Sequence, residues 1–223
     1  MQAHYVAGAG VDLLDPDGKA WKVSAAEPVK LKGTPLDMQP TEAIKASWES
    51  KKIGVVEVVQ VAAVHDGERI AFRLEWSDPT VNREITDTTR FTDCCGILLP
   101  TVQYAPMAIM GATGMAVNAW YWRADENGRG RHVLAEGLGT TRTIGYGAVR
   151  GNGVYRNGRW NVVITRAMKV ENSQKSVQLE PGQTTGFGVA IWEGGHGERA
   201  GLKAISGDDW LKLDVEAASA AKA

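Results

Sequence analysis

The chain has 223 residues, of which 43% are hydrophobic and 23% charged. That balance excludes a disordered polymer and gives enough length to bury a core without disulfide staples. Its 25 Lys and Arg against 26 Asp and Glu leave a net charge of −1, which excludes a nucleic-acid partner held by a basic surface.

In chain order, the first 40 residues are polar and rich in turns, with Asp15-Pro16-Asp17-Gly18 and Lys32-Gly33-Thr34-Pro35 around short strands at Trp21–Val23 and Val29–Leu31. Thr41–Ser50 reads as a helical turn or two. Ile53–Val64 is rich in valine, and after the turn His65-Asp66-Gly67-Glu68 the residues Ile70, Phe72, Leu74 and Trp76 alternate with Ala71, Arg73 and Glu75. A period of two marks a half-buried strand, so these runs predict a hairpin. Further strands are expected at Arg90–Leu99, Val117–Arg123, Trp160–Met168, Gly186–Trp192 and Leu211–Val215. Asn157-Gly158 predicts a tight hairpin turn. The glycine-rich stretch Gly137–Gly153 reads as a long loop. Many short strands between Gly/Pro turns predict an all-β chain. The expected fold is one antiparallel β-sandwich over residues 1–223 with few short helices and a frayed tail at 216–223.

No catalytic apparatus is visible. Gly145-Tyr146-Gly147 lacks the spacing and the strand–helix context of a nucleotide loop. The four histidines show no metal-ligand spacing; His65 is expected in a turn, and His132 and His196 in polar loops with solvated side chains. The carboxylates fall mostly in turns and none pairs with another by sequence. Adjacent Cys94 and Cys95 point to opposite faces of a strand and form no ordinary staple. The absence of Cys-x-x-Cys-His excludes covalent haem attachment. The most apolar run, Cys94–Met110, is broken by Pro100 and Pro106 and falls short of the ~18 residues of a membrane span. Met1–Tyr5 lacks the pattern of a secretory signal.

Four segments carry a resemblance. They are Asp66–Thr80, Met110-Gly111 with Val117-Asn118-Ala119-Trp120-Tyr121-Trp122-Arg123-Ala124-Asp125, Tyr155–Arg166, and Ala190–Ser206 containing Gly201-Leu202-Lys203-Ala204-Ile205-Ser206. In this order they resemble the haem-b-binding gamma subunits of molybdenum enzymes in the ethylbenzene dehydrogenase, dimethylsulfide dehydrogenase, chlorate reductase and selenate reductase group. The chain departs from that pattern at Cys94-Cys95 after Phe91-Thr92-Asp93, and at Ala119, where isoleucine is more usual.

The resemblance implies one non-covalent haem b whose iron takes a methionine and a lysine. Carried over by motif, Met110 is the first choice for the thioether, with Met107 and Met115 behind it, and Lys203 is the amine. These are the expected metal ligands, and Asn118, Trp120, Trp122 and Trp192 are expected around the cofactor. Two protein ligands leave no open position, which suits electron transfer. The implied partners are a molybdenum-cofactor catalytic subunit and an iron–sulfur subunit, with an external carrier such as a cytochrome c, in the periplasm. The rival expectation is a carbohydrate-binding sandwich that stacks sugars on Trp120, Tyr121, Trp122 or Trp192.

Overall fold

The computed structural model describes residues 1–8, 10–85, 87–170 and 175–218, with the backbone alone at 11 and 12. The strands are β1 (Gln2–Tyr5), β2 (Glu27–Lys30), β3 (Lys32–Gly33), β4 (Val58–His65), β5 (Arg69–Ser77), β6 (Cys94–Pro100) and β7 (Val117–Arg123). They continue as β8 (Arg131–Ala135), β9 (Arg142–Ile144), β10 (Val149–Arg156), β11 (Arg159–Ala167), β12 (Thr184–Trp192), β13 (Ala204–Ile205) and β14 (Leu211–Val215). One helix of seven residues, α1 (Glu42–Trp48), starts where the Thr41 hydroxyl accepts the amide of Ile44 at 3.2 Å.

The strands make a sandwich. One sheet runs β10-β11-β5-β4-β1-β14 and the other runs β12-β6-β7-β8-β9. β12 joins them: Thr184–Phe187 pair with β14, and Gly188–Trp192 pair with β6. The pairing is antiparallel except at β1, which lies parallel to both β4 and β14. The predicted alternation sets the interior. Val59, Val61, Phe72, Leu74, Trp76, Trp160 and Ile164 face Cys95, Ile97, Leu99, Trp120, Trp122, Val189 and Ile191 across the sandwich. Each fully buried large apolar side chain contributes about 1.5–3 kcal/mol.

Several stretches differ from the sequence expectation, and the runs from Ile53 and Arg90 become strand only at Val58 and Cys94. Lys19–Val23 is a 3-10 turn rather than a strand. The Asp15 carbonyl accepts both the Gly18 amide and the Trp21 indole N–H, which folds Trp21 onto the outer residues Ala62, Val64 and Ala71. The expected long loop at Gly137–Gly153 instead contains β9 and the start of β10. Its glycines read as loop, but Gly151 and Gly153 are strand residues lying under Trp122. A Cβ on Gly153 would come within 2.3 Å of that ring. The Asn157-Gly158 turn forms as predicted, with φ of 52° and 72°. Of the expected tail, Glu216 is anchored by the Tyr5 amide at 2.9 Å, and residues 219–223 lie outside the described residues.

Candidate functional site

The pleat of β7 decides which of the expected site residues meet. Asn118, Trp120 and Trp122 point into the sandwich, and both indoles are fully buried there. Trp122 meets Trp160 edge-on at 5.0 Å and donates to Asn127 Oδ1. Asn118 accepts the Val177 amide at 2.7 Å and donates to the Lys175 carbonyl at 2.9 Å, pinning the segment after β11. These three residues therefore build the interior. The opposite face of the same sheet receives Val117, Ala119 and Tyr121.

That outer face is where Met110, Trp192 and Lys203 gather. Leu98, Ala105, Val117, Ala190 and Ile205 form its apolar floor, and Met110, Ala119, Trp192 and Trp210 pack against it. Gly96 keeps the floor low between Tyr121 and Trp192, whose rings meet edge-on at 5.2 Å. Lys203 arrives by register. Ala204 pairs with Ile191, so the preceding residue comes opposite Trp192. Its Nζ lies 5.3 Å from the Trp192 ring centroid and donates only to the Ala200 carbonyl, at 3.3 Å. Among the described residues Lys203 has no carboxylate partner. Burial pushes its amine down to about 8, toward the neutral form that a metal ligand requires.

Met110 sits in a tight bend. Its φ of 60° is left-handed, which a long side chain adopts at a cost of about 1–3 kcal/mol. The bend is fixed by Met110 N to Met107 O, Gly111 N to Pro106 O, and Gly137 N to Met110 O, at 2.7–3.0 Å. Gly111 follows at φ +89°, where a Cβ would meet the Met115 and Ala135 carbonyls at 2.8 and 2.9 Å. Gly111→Ala is accordingly expected to cost about 1–3 kcal/mol in urea unfolding, and a loss below about 0.5 kcal/mol, the size of an ordinary surface substitution, would contradict this account. Met107 packs over Gly188 and is buried, whereas Met115 is partly exposed.

A competing amine was not legible in sequence. Lys175 holds Glu136 at 2.9 Å, and the next residue, Gly137, bonds Met110. Unlike Lys203 it is already engaged by a carboxylate. A cavity of about 660 Å³ is lined by Arg129, Arg131, His132, Tyr146 and Arg150, and it includes neither Met110 nor Lys203.

Two of the histidines differ from expectation, and His196 lies in a loop as expected. His132 lies on β8, buried, with Nε2 3.2 Å from Asn118 Oδ1, and burial pushes its pKa down to about 4. His65 ends β4, fully buried. His196 is in a loop, with its ring bonded to the Lys52 carbonyl. Cys94 and Cys95 are both free and buried in β6, and burial raises both thiols.

The sequence model of the family described as Ethylbenzene dehydrogenase matches residues 19–146 and 140–204. The chain belongs to the ethylbenzene dehydrogenase family. Within reach of this family, it is 31% identical over 204 residues to the chlorate reductase subunit gamma of Ideonella dechloratans, covering 91% of this chain and 80% of that one. A protein of Haloferax mediterranei provisionally named a respiratory nitrate reductase heme subunit is 31% identical over 192 residues, 86% of this chain. The dimethylsulfide dehydrogenase subunit gamma of Rhodovulum sulfidophilum is 31% identical over 156 residues, 67% of this chain. The chain spans 65% and 57% of the length of these last two relatives. In fold, it is similar to a carbohydrate binding module of family 9 from Caldicellulosiruptor kristjanssonii, at a TM-score of 0.53 and 9% identity, covering 98% and 96% of the two chains. That likeness is one of sandwich architecture. Sugar stacking on Trp120 or Trp122 is closed to this family member, because both rings are inside.

A second cluster is absent from the sequence reading altogether. Asp78, Asp93 and Glu193 each follow or precede a strand end, and one oxygen from each lies within 4.8 Å of the others, all buried. Burial, then the neighbouring Asp93 charge, lifts Asp78 to about 7; burial lifts Asp93 to about 6. The folded chain thus holds protons that the unfolded chain, with an ordinary value of 3.8, releases earlier. Raised carboxyl pKa values mean stability that is present at low pH and lost as pH rises from about 4 through 7. Each group contributes a slope of up to ~1.4 kcal/mol per pH unit inside its window. In chelator-treated, metal-free protein, Asp78→Asn should therefore flatten the fall in urea midpoint between pH 5 and pH 8; an identical fall in variant and parent would contradict the assignment.

Proposed function

We propose that this chain is a non-catalytic electron-transfer subunit that binds one haem b as a single sandwich unit. Met110 and Lys203 are its two iron ligands, and Trp192 flanks the site. The observation that carries this reading is the convergence on one apolar face of a thioether held in a left-handed bend and an amine without an ion-pair partner. Its relatives are named as a heme subunit and as gamma subunits of oxidoreductases, which supports the same assignment. When bound, a haem whose iron takes both Met110 and Lys203 would exchange single electrons and leave no position for substrate.

The chain's own residues do the rest. The apolar floor of Leu98, Val117 and Ala190 excludes water, and burial favours the neutral Lys203 amine. A soft sulfur ligand favours the reduced metal. In this reading the partners are a molybdenum-cofactor catalytic subunit and an iron–sulfur subunit, with an external carrier such as a cytochrome c, in the periplasm. No helix among the described residues is long and apolar enough to cross a membrane.

The test is the visible spectrum of the purified chain after haem reconstitution. A sharp Soret band with six-coordinate low-spin features is expected, and its absence from folded protein would overturn the proposal. Purification with its partners, followed by analysis for molybdenum and iron, tests the assembly; recovery of the chain alone from its native source would refute it.

A further inference from the structure

The acidic cluster at the strand ends shares no residue with the Met110–Lys203 face and has its own chemistry. Asp78 follows β5, Asp93 precedes β6, and Glu193 follows β12, so elements of both sheets converge there. Five of the six carboxylate oxygens are occupied. Asp93 accepts the Gly194 amide at 2.9 Å, the Asn82 amide at 2.7 Å and the Trp160 indole at 3.0 Å. Glu193 accepts the Thr80 hydroxyl at 3.2 Å and the His196 amide, and Asp78 Oδ1 accepts the Thr80 amide at 3.0 Å. The sixth, Asp78 Oδ2, is wholly buried with no partner. The Trp76 indole N–H offsets part of its charge without reaching hydrogen-bond geometry. Among the described residues no Lys or Arg forms an ion pair with any of the three carboxylates.

Three buried carboxylates without a cation are unfavourable unless protons or a metal ion compensate them. The donor set consists of oxygen alone, and the Thr80 hydroxyl and the Asn82 side-chain oxygen lie 2.8 Å apart beside Glu193. One oxygen from each carboxylate lies within 4.8 Å of the others, close enough to share one calcium ion, whose oxygens sit at about 2.4 Å. Such a set suits calcium, which tolerates irregular geometry and many oxygens, better than magnesium, which demands an octahedron and keeps its waters. We propose that Asp78, Asp93 and Glu193 form a calcium-type cation site, with Asp78 Oδ2 as the open ligand. The ion would tie β5, β6 and β12 together at the end of the strand that carries Trp192.

The experiment uses the full chain, stripped with a chelator and exchanged into metal-free buffer at pH 7.5. Terbium is the first probe, because the Trp160 indole bonded to Asp93 would sensitise its emission. Indole-sensitised terbium emission displaced by calcium is expected, together with a calcium-dependent rise in melting temperature. Asp78→Asn keeps the side-chain shape and removes the open ligand. Loss of even a supporting partner weakens metal sites by about 10–100-fold, so this variant should bind calcium at least that much more weakly. The proposal fails if the parent shows neither terbium emission nor a calcium-dependent melting shift. It also fails if Asp78→Asn, still folded, binds calcium as tightly as the parent. Because the terbium readout needs no variant, misfolding of Asp78→Asn leaves the proposal open to refutation.

Discussion

Met110→Leu and Lys203→Ala are each expected to abolish the six-coordinate low-spin spectrum of the haem-loaded chain while leaving the sandwich folded. The first substitution conserves volume and removes only the sulfur, a change that costs less than about 1.5 kcal/mol in a packed site. The second removes a half-buried amine whose sole bond is to the Ala200 carbonyl at 3.3 Å. Neither residue is part of the interior between the sheets, so circular dichroism and the melting temperature should change little. Met107→Leu, Met115→Leu and Lys175→Ala serve as comparisons and should retain the spectrum. If Lys203→Ala retains it and Lys175→Ala loses it, Lys175 is the amine ligand and the assignment is wrong.

Trp122→Ala is expected to do the opposite: a large loss of stability with the ligand signature intact. The ring is fully buried, meets Trp160 at 5.0 Å, and fills the space left by Gly151 and Gly153 on β10. Truncating a buried tryptophan costs about 3–5 kcal/mol. In a chain of this length that lowers the melting temperature by roughly 6–20 °C. Scanning calorimetry on the haem-loaded variant measures the loss. A melting temperature within a degree or two of the parent, accompanied by a shifted Soret band, would instead make Trp122 a wall of the cofactor site. Trp192→Ala should show the complementary pattern, since its ring stands beside Lys203 on the outer face.

These paired outcomes mark how far the sequence could be read. Alternation at Ile70–Trp76 and the Asn157-Gly158 turn located the hairpins, because a period of two and a left-handed turn are local properties. The same alternation places Trp120 and Trp122 on one face and Tyr121 on the other, but it does not say which face is the interior. That depends on Gly151 and Gly153 admitting the Trp122 ring from the opposite sheet, and in sequence those glycines look like loop. Lys203 and Met110 lie 93 positions apart. Only the pairing of β13 with β12 brings the lysine opposite Trp192. The Asp78, Asp93 and Glu193 cluster was invisible for the same reason, since its members come from three strand ends. His132 looked solvated among polar neighbours, yet its place opposite Trp120 on β8 turns it inward.

The bridging strand β12 has a consequence for how the molecule is assembled during synthesis. β4, β5, β6 and β7 can pair as soon as they are made, because each neighbours a strand close in sequence. β1 cannot be enclosed until β14 exists, since Gln2 pairs with Asp214. The two sheets are not joined until β12 arrives to serve both. The lysine-bearing turn before β13 follows later still. A partly synthesised chain therefore exposes an unzipped sheet edge and half of an apolar face, and it offers a thioether before it offers an amine. Pairings of such high sequence separation form slowly. If Met110 and Lys203 are the haem ligands, as proposed, cofactor loading belongs to a late stage in the chain's maturation, after β14 has closed the seam.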